Sequence, residues 1–178
     1  MCAYTIGNSS AACRCGAVVL EVTGAPIVHA ACYCTSCQEA GRQIESLPAA
    51  PPVLDADGGT DVVLYRKDRV RCVQGGDRME AHRLKANSPT RRMVATCCNS
   101  AMFLDFTKGH WLTFYRARLA GPVQALEMRV MTAQKRSGVA LSENVPNYAG
   151  RSGKLMWKLL AAWAVMGFRT PMVHGIPT

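Results

Sequence analysis

"HAACYCTSCQEAG", residues 29–41, places Cys32, Cys34 and Cys37 within six positions. In an extended segment the side chains at i and i+2 point the same way, so Cys32 and Cys34 share a face. A tight turn across the C-x-x-C brings the third sulfur round the same point. Three thiolates can then fill three corners of a tetrahedron, which suits zinc at a Zn–S distance of about 2.3 Å. The fourth corner is left for a water, a substrate thiol or another protein ligand. An open corner marks a catalytic site. A corner closed by Cys72, Cys97, Cys98 or His29 marks a structural one.

Nine cysteines in 178 residues need an explanation. "MCAYTIGNSSAA" has no basic region followed by an apolar stretch of signal length. The longest strongly apolar run, Leu159 to Met166, is far short of the roughly 20 residues of a membrane span. The expected setting is therefore cytoplasmic, where thiols stay reduced and clustered cysteines serve as metal ligands more often than as bridges. The odd count also fits poorly with a full set of intrachain disulfides. With 49% apolar residues, the chain can bury a core without such staples.

The texture from Gly16 to about Phe106 is one of short β runs broken by Gly, Pro and Asn. Strands are expected at Ala17–Val22, Pro26–Cys32, Asp61–Arg66, Arg69–Gln74 and Met79–Ala86, and on both sides of Cys97–Cys98. Leu47–Thr60, with three prolines and two glycines, reads as loop. This spacing predicts a mainly β fold of antiparallel sheets in place of a βαβ pattern. After Leu119–Pro122 the texture changes. Ser152 is expected to N-cap a helix over about 153–168, with Leu155, Leu159, Ala162, Trp163 and Met166 on its packed side. The two regions are residues 11–120, a β domain, and 121–178, a helical extension. A helix docked on the domain core is the plain reading of the extension. A dimer contact and peripheral membrane attachment are the alternatives.

A second candidate metal site joins Cys13 and Cys15 of "CRC" to Cys97 and Cys98 of "TCCNS". Two remote pairs closing one tetrahedron is how structural zinc ties strands together. Neighbours in a regular strand point to opposite faces, so Cys97 and Cys98 can share an ion only if the chain turns sharply there. Otherwise one of them binds, or the pair is metal-free. Cys72 reads as a small buried hydrophobe. Cys2 is assigned nothing, and His29, His82, His110 and His174 are read as structural or surface residues.

The ordered motifs "CRCGAVVLEV", "ACYCTSCQEAG" and "RRMVATCCNSAMFLDF" resemble those of the glutathione-dependent formaldehyde-activating enzyme family, also called the CENP-V/GFA family. The resemblance covers roughly residues 11–120. It implies a β-tent zinc-binding fold with two zinc sites. Cys32, Cys34 and Cys37 would hold a catalytic zinc near which glutathione binds. Cys13, Cys15 and Cys98 would belong to a structural site. The third motif departs from the usual C-x-x-C-G-[ST], because the position matching its first cysteine is Ala95. Either Cys97 substitutes from another register or the structural zinc is weakened or absent. The "CCN" form marks a divergent branch.

The expected activity is that of a zinc-dependent carbon–sulfur lyase acting on a glutathione adduct or a related small thiol. The formal charge of +9, with nine Lys or Arg between Arg66 and Arg92, supplies cations for such a substrate's carboxylates. A non-enzymatic zinc module that binds nucleic acid is the alternative. The basic residues lack a recognition helix or a base-stacking motif, which counts against it. A purely structural zinc scaffold is the third reading. A homo-oligomer is compatible with all three.

Overall fold

The structure, a computed structural model, describes residues 9–176. Cys2 lies outside the described residues. The elements in chain order are β1 (Ser9–Ala12), β2 (Val19–Val22), β3 (Val28–Cys32), α1 (Thr35–Glu45), β4 (Thr60–Arg66), β5 (Val70–Gln74), β6 (Met79–His82), β7 (Thr90–Ala95), β8 (Ser100–Phe106), β9 (Trp111–Tyr115), β10 (Met128–Val130) and α2 (Gly153–Val165). The fold is mainly β, as the short-strand texture predicts. One sheet has three strands in the order β1-β2-β5, and the other has seven in the order β10-β3-β4-β9-β8-β7-β6.

β4 shows why the sequence alternates poorly there. Val63 and Tyr65 pack into one core cluster with Leu20, Val70, Met93, Phe103 and Phe114. Val62 and Leu64 pack into a second cluster with Val28, Ile44, Met128 and Leu159. A strand covered on both faces reads as a continuous apolar run. The first cluster fills the space between the two sheets. The second is covered by α1, β10 and α2.

Three features depart from the sequence expectations. The strand expected over Met79–Ala86 stops at His82. The sheets are not wholly antiparallel, because β10 adds to β3 in parallel register, Met128 opposite Ala30 and Val130 opposite Cys32. That strand comes from residues 121–178, so the C-terminal region completes the edge of the larger sheet. Thirdly, the tight turn expected across the C-x-x-C is the first turn of the helix α1. Only Ile44 is a large apolar residue among its buried positions Gln38, Ala40, Gly41 and Ile44, so its periodicity is faint.

α2 forms where expected. The Ser152 hydroxyl accepts from the Leu155 backbone N–H at 3.0 Å, satisfying one free donor of the first turn. Leu159 is buried, and Trp163 stacks on His110 with ring centroids 5.6 Å apart.

Candidate metal centres

The triplet is built from a strand end and a helix start. Cys32 is the last residue of β3, and Cys34 is the N-cap of α1. The Cys37 N–H donates to the Cys34 sulfur at 3.4 Å. C-x-x-C here is thus the spacing from the N-cap to the third helical residue, which a serine or threonine cap normally exploits. Between them, Tyr33 turns inward, 1% exposed, and donates its hydroxyl to Asp57 at 2.6 Å. Gly59 makes room for it, since a Cβ there would lie 2.8 Å from the Tyr33 ring. Gln38 and Gln134 fasten the helix start. The Gln38 amide donates to the Tyr33 and Gln134 carbonyls at 2.6 and 2.8 Å, and the Thr35 N–H donates to Gln134 Oε1 at 2.9 Å.

The sulfurs of Cys32, Cys34 and Cys37 lie within 4.8 Å of one another, and all three side chains are half-buried. The Cys32 and Cys37 thiols beside it hold Cys34 down to about 2, and Ser36 adds to the effect. Its bond to Cys34 pushes Cys32 up to about 11. The Cys37 thiol is pushed up by Cys32 and Cys34. The helix N-terminus favours the same negative charge. The donor set fits a thiophilic dication.

No fourth protein sulfur or imidazole joins this group among the described residues. Cys97 and Cys98 belong to the other cluster. His29 is engaged at both ring nitrogens, Nε2 with Asp61 at 2.6 Å and Nδ1 with the Gln124 carbonyl at 2.7 Å. Two acceptors are satisfied together only by the doubly protonated ring. Burial alone would lower its pKa, but Asp61 and Gln124 outweigh it and raise the value. Cys72 packs against the first core cluster, its thiol toward the Gln74 carbonyl at 3.4 Å.

The second cluster brings together all four of Cys13, Cys15, Cys97 and Cys98, with sulfurs within 4.8 Å. Measured pairs are 3.6 Å for Cys13–Cys15, 3.7 Å for Cys13–Cys97, 3.4 Å for Cys15–Cys97 and 4.0 Å for Cys97–Cys98. A tetrahedron with Zn–S bonds of about 2.3 Å has edges of ~3.8 Å, so the set fits zinc. The sharp turn that adjacent cysteines need is present. The Cys98 N–H returns to the Ala95 carbonyl at 3.3 Å, and Asn99 is left-handed at φ 51°. Ala95 itself ends β7, fully buried. Ser100 ties the knuckles together, its Oγ accepting from the Arg14 N–H at 3.0 Å and lying 3.1 Å from the Cys98 sulfur. Burial acts to raise the Cys98 pKa, but Ser100 and Cys15 outweigh it and hold the thiol down to about 6.

Four of the nine cations in the basic segment are committed to internal ion pairs. Arg66 pairs with Asp68 and Arg71 with Glu21, while Lys67 and Arg91 share the buried Asp105. Arg92 is different. It is 2% exposed, donates to the Ser36 carbonyl within the triplet at 3.0 Å, and leaves Nε unpartnered. Tyr115 lies near both Cys37 and Arg92, its phenol pushed up by burial. Tyr115 also lines a cavity of about 240 Å³ with Asp55, Asp61, Arg116 and Arg118. Burial, then Asp61 and Asp57, push Asp55 up to about 6. Asp55 and Tyr115 were missed at the sequence level, where neither stands in a motif. A larger cavity of about 740 Å³ lies under the C-terminal segment and has no cysteine in its lining.

No curated protein sequence matches this chain. A solved structure, a Rhodobacter sphaeroides protein determined as a structural-genomics target, is 14% identical, covering 78% of this chain and 98% of that one with a TM-score of 0.44. The family model described as "Glutathione-dependent formaldehyde-activating enzyme" matches residues 8–49. That stretch holds Cys13, Cys15, Cys32, Cys34 and Cys37. Over residues 8–49 the chain is similar to the glutathione-dependent formaldehyde-activating enzyme family.

Proposed function

We propose that this protein is a zinc-dependent carbon–sulfur lyase acting on a small thiol adduct of the glutathione–formaldehyde type. The observation that carries the reading is the three-sulfur group of Cys32, Cys34 and Cys37, half-buried at a helix N-terminus, with no fourth protein donor among the described residues. Zinc bound there would supply a Lewis-acidic position for a substrate sulfur and favour its thiolate form.

The chain's own residues divide the remaining work. Cys32, Cys34 and Cys37 hold the ion, and Arg92 sets a positive charge behind them. Arg116, at a cavity that Tyr115 also lines, offers a cation to the substrate's carboxylates, while Arg118 of the same lining reaches Ser100 beside the four-cysteine cluster. Asp55, in the same cavity, takes up a proton near neutral pH. In the cleavage direction the adduct's hydroxyl gives that proton to Asp55 and its carbon leaves as the aldehyde. The C–S bond breaks and its electron pair stays on sulfur. Addition is the reverse, and neither direction needs an oxidant. Cys13, Cys15, Cys97 and Cys98 hold a second, structural zinc. Thiols kept free in this way suit the reducing cytoplasm.

The test is elemental analysis of protein purified without added metal, for wild type and Cys34→Ser, alongside an assay of glutathione–formaldehyde adduct turnover. Wild type is expected to carry two zinc ions per chain. Cys34→Ser should lose one of them and all turnover while staying folded. Zinc-free wild type that cannot rebind the metal under reducing conditions would overturn the reading. So would Cys34→Ser with undiminished turnover.

A further inference from the structure

α2 is apolar on both of its sides, and the fold accounts for only one. Leu159 and Trp163 face the domain. Outward, Trp157 is 69% exposed, Val165 72% and Phe168 59%, with Met156 and Leu160 beside them about half exposed. Trp157, Leu160 and Ala164 recur at three- and four-residue intervals and form one stripe on the helix, while Phe168, just past its C-terminal end, packs edge-on against Trp163 with ring centroids 5.3 Å apart. A helix apolar all round normally lies buried. Contiguous exposed apolar surface of this kind marks an interaction face.

The charges around the stripe identify what it meets. From Asn144 to Thr178 the chain has Arg151, Lys154, Lys158 and Arg169 and no Asp or Glu. Lys158 pairs with Glu127 at 2.6 Å, while Arg151, Lys154 and Arg169 are exposed at the two ends of the helix. An exposed apolar stripe with tryptophan, bracketed by cations and without acids, complements a surface that is apolar beneath and anionic above, as an anionic lipid–water interface is. α2 has 13 residues, about 20 Å of helix, and among the described residues no helix is long and apolar enough to cross a membrane. A second copy of the chain fits less well. Two antiparallel α2 stripes would set Lys154 of one against Arg169 of the other, cation facing cation, and a parallel pair would oppose identical cations.

We propose that the outward face of α2 is a peripheral docking surface for an anionic lipid bilayer. Trp157, Leu160, Val165 and Phe168 enter the headgroup–acyl boundary, and Arg151, Lys154 and Arg169 pair with lipid phosphates. The helix lies parallel to the membrane.

The test is co-sedimentation of the full chain with vesicles of phosphatidylcholine alone and of phosphatidylcholine and phosphatidylglycerol in equal parts. Binding is expected only to the anionic vesicles. Lys154→Glu with Arg169→Glu should weaken it about tenfold or more, as expected for reversing two interfacial cations. Trp157→Ser should weaken it comparably. These side chains are exposed, so both variants should unfold at the wild-type temperature. Three outcomes overturn the proposal. Wild type stays in the supernatant at low salt, or Trp157→Ser binds as wild type does, leaving only general attraction of a basic protein. In the third, ultracentrifugation finds a dimer that Trp157→Ser dissociates, and the occupant is then a second copy.

Discussion

The two cysteine clusters use the same element differently. In the four-cysteine cluster, the sulfurs come from two tight turns far apart in sequence, after β1 and between β7 and β8. Cys13 is 4% exposed and belongs to the main core cluster, while Cys15 and Cys97 are exposed. In the triplet, three sulfurs come from one short segment, and all are half-buried. A closed set that bridges remote strands couples metal binding to folding. An open set gathered locally can lose its ion and leave the sheet standing.

The contrast breaks first at Cys13. Cys13→Ser removes a buried ligand of the closed set, and the expected result is a fall in unfolding temperature of about ten degrees or more, read by circular dichroism. If Cys13→Ser unfolds as wild type does, the closed cluster is not the structural one. Cys34→Ser comes next, with turnover lost and the unfolding temperature moved by far less than for Cys13→Ser. Equal destabilisation by the two variants would erase the distinction.

Asp55 sharpens the open side. Its carboxyl is held up to about 6 by burial and by Asp61 and Asp57, so a role as proton acceptor requires pH above that value. The pH profile of kcat/KM should fall as pH drops through about 6, and Asp55→Asn should abolish that limb. A profile that keeps the limb in Asp55→Asn assigns it to another group.

A smaller effect is expected at His29, whose folded pKa lies above its unfolded one. Its stabilisation is fully present below the unfolded value of about 6.5 and is lost as pH rises through the folded value. The gap in unfolding temperature between wild type and His29→Gln should therefore be widest in mild acid and narrow with rising pH. A gap that widens instead would mean a neutral folded imidazole.

The smallest effect belongs to Ser152→Ala, which removes the α2 cap at a cost of about 1 kcal/mol. Zinc content should stay at the wild-type value, since α2 supplies no ligand to either cluster. A change in zinc content would show that the two sites are coupled to the C-terminal helix.

The elements that could be read beforehand share a physical cause. β4 and β8 are long enough, and apolar enough, for composition alone to mark them. α2 announces itself through Ser152 and a run of strong helix formers. α1 stayed hidden because its cap is a cysteine, outside the usual capping residues, and because glutamine, alanine and glycine fill most of its buried face. β1 and β10, with four and three residues, are too short to show a period.

The same division runs through the sites. Cys32, Cys34 and Cys37 were legible because i, i+2 and i+5 spacing fixes their neighbourhood through local chain geometry. The sequence by itself also determined that the C-terminal region carries a capped helix and no acid after Glu143. Only the tertiary structure decided that Cys97 and Cys98 both turn toward Cys13 and Cys15, that His29 is already engaged, and that Arg92 and Tyr115 lie beside the triplet, with Asp55 in a cavity that Tyr115 also lines. Those contacts join residues 32 to 95 positions apart, and their geometry depends on strand order, on a turn with Asn99 at positive φ, and on burial on both faces of one sheet. Local spacing encodes none of these.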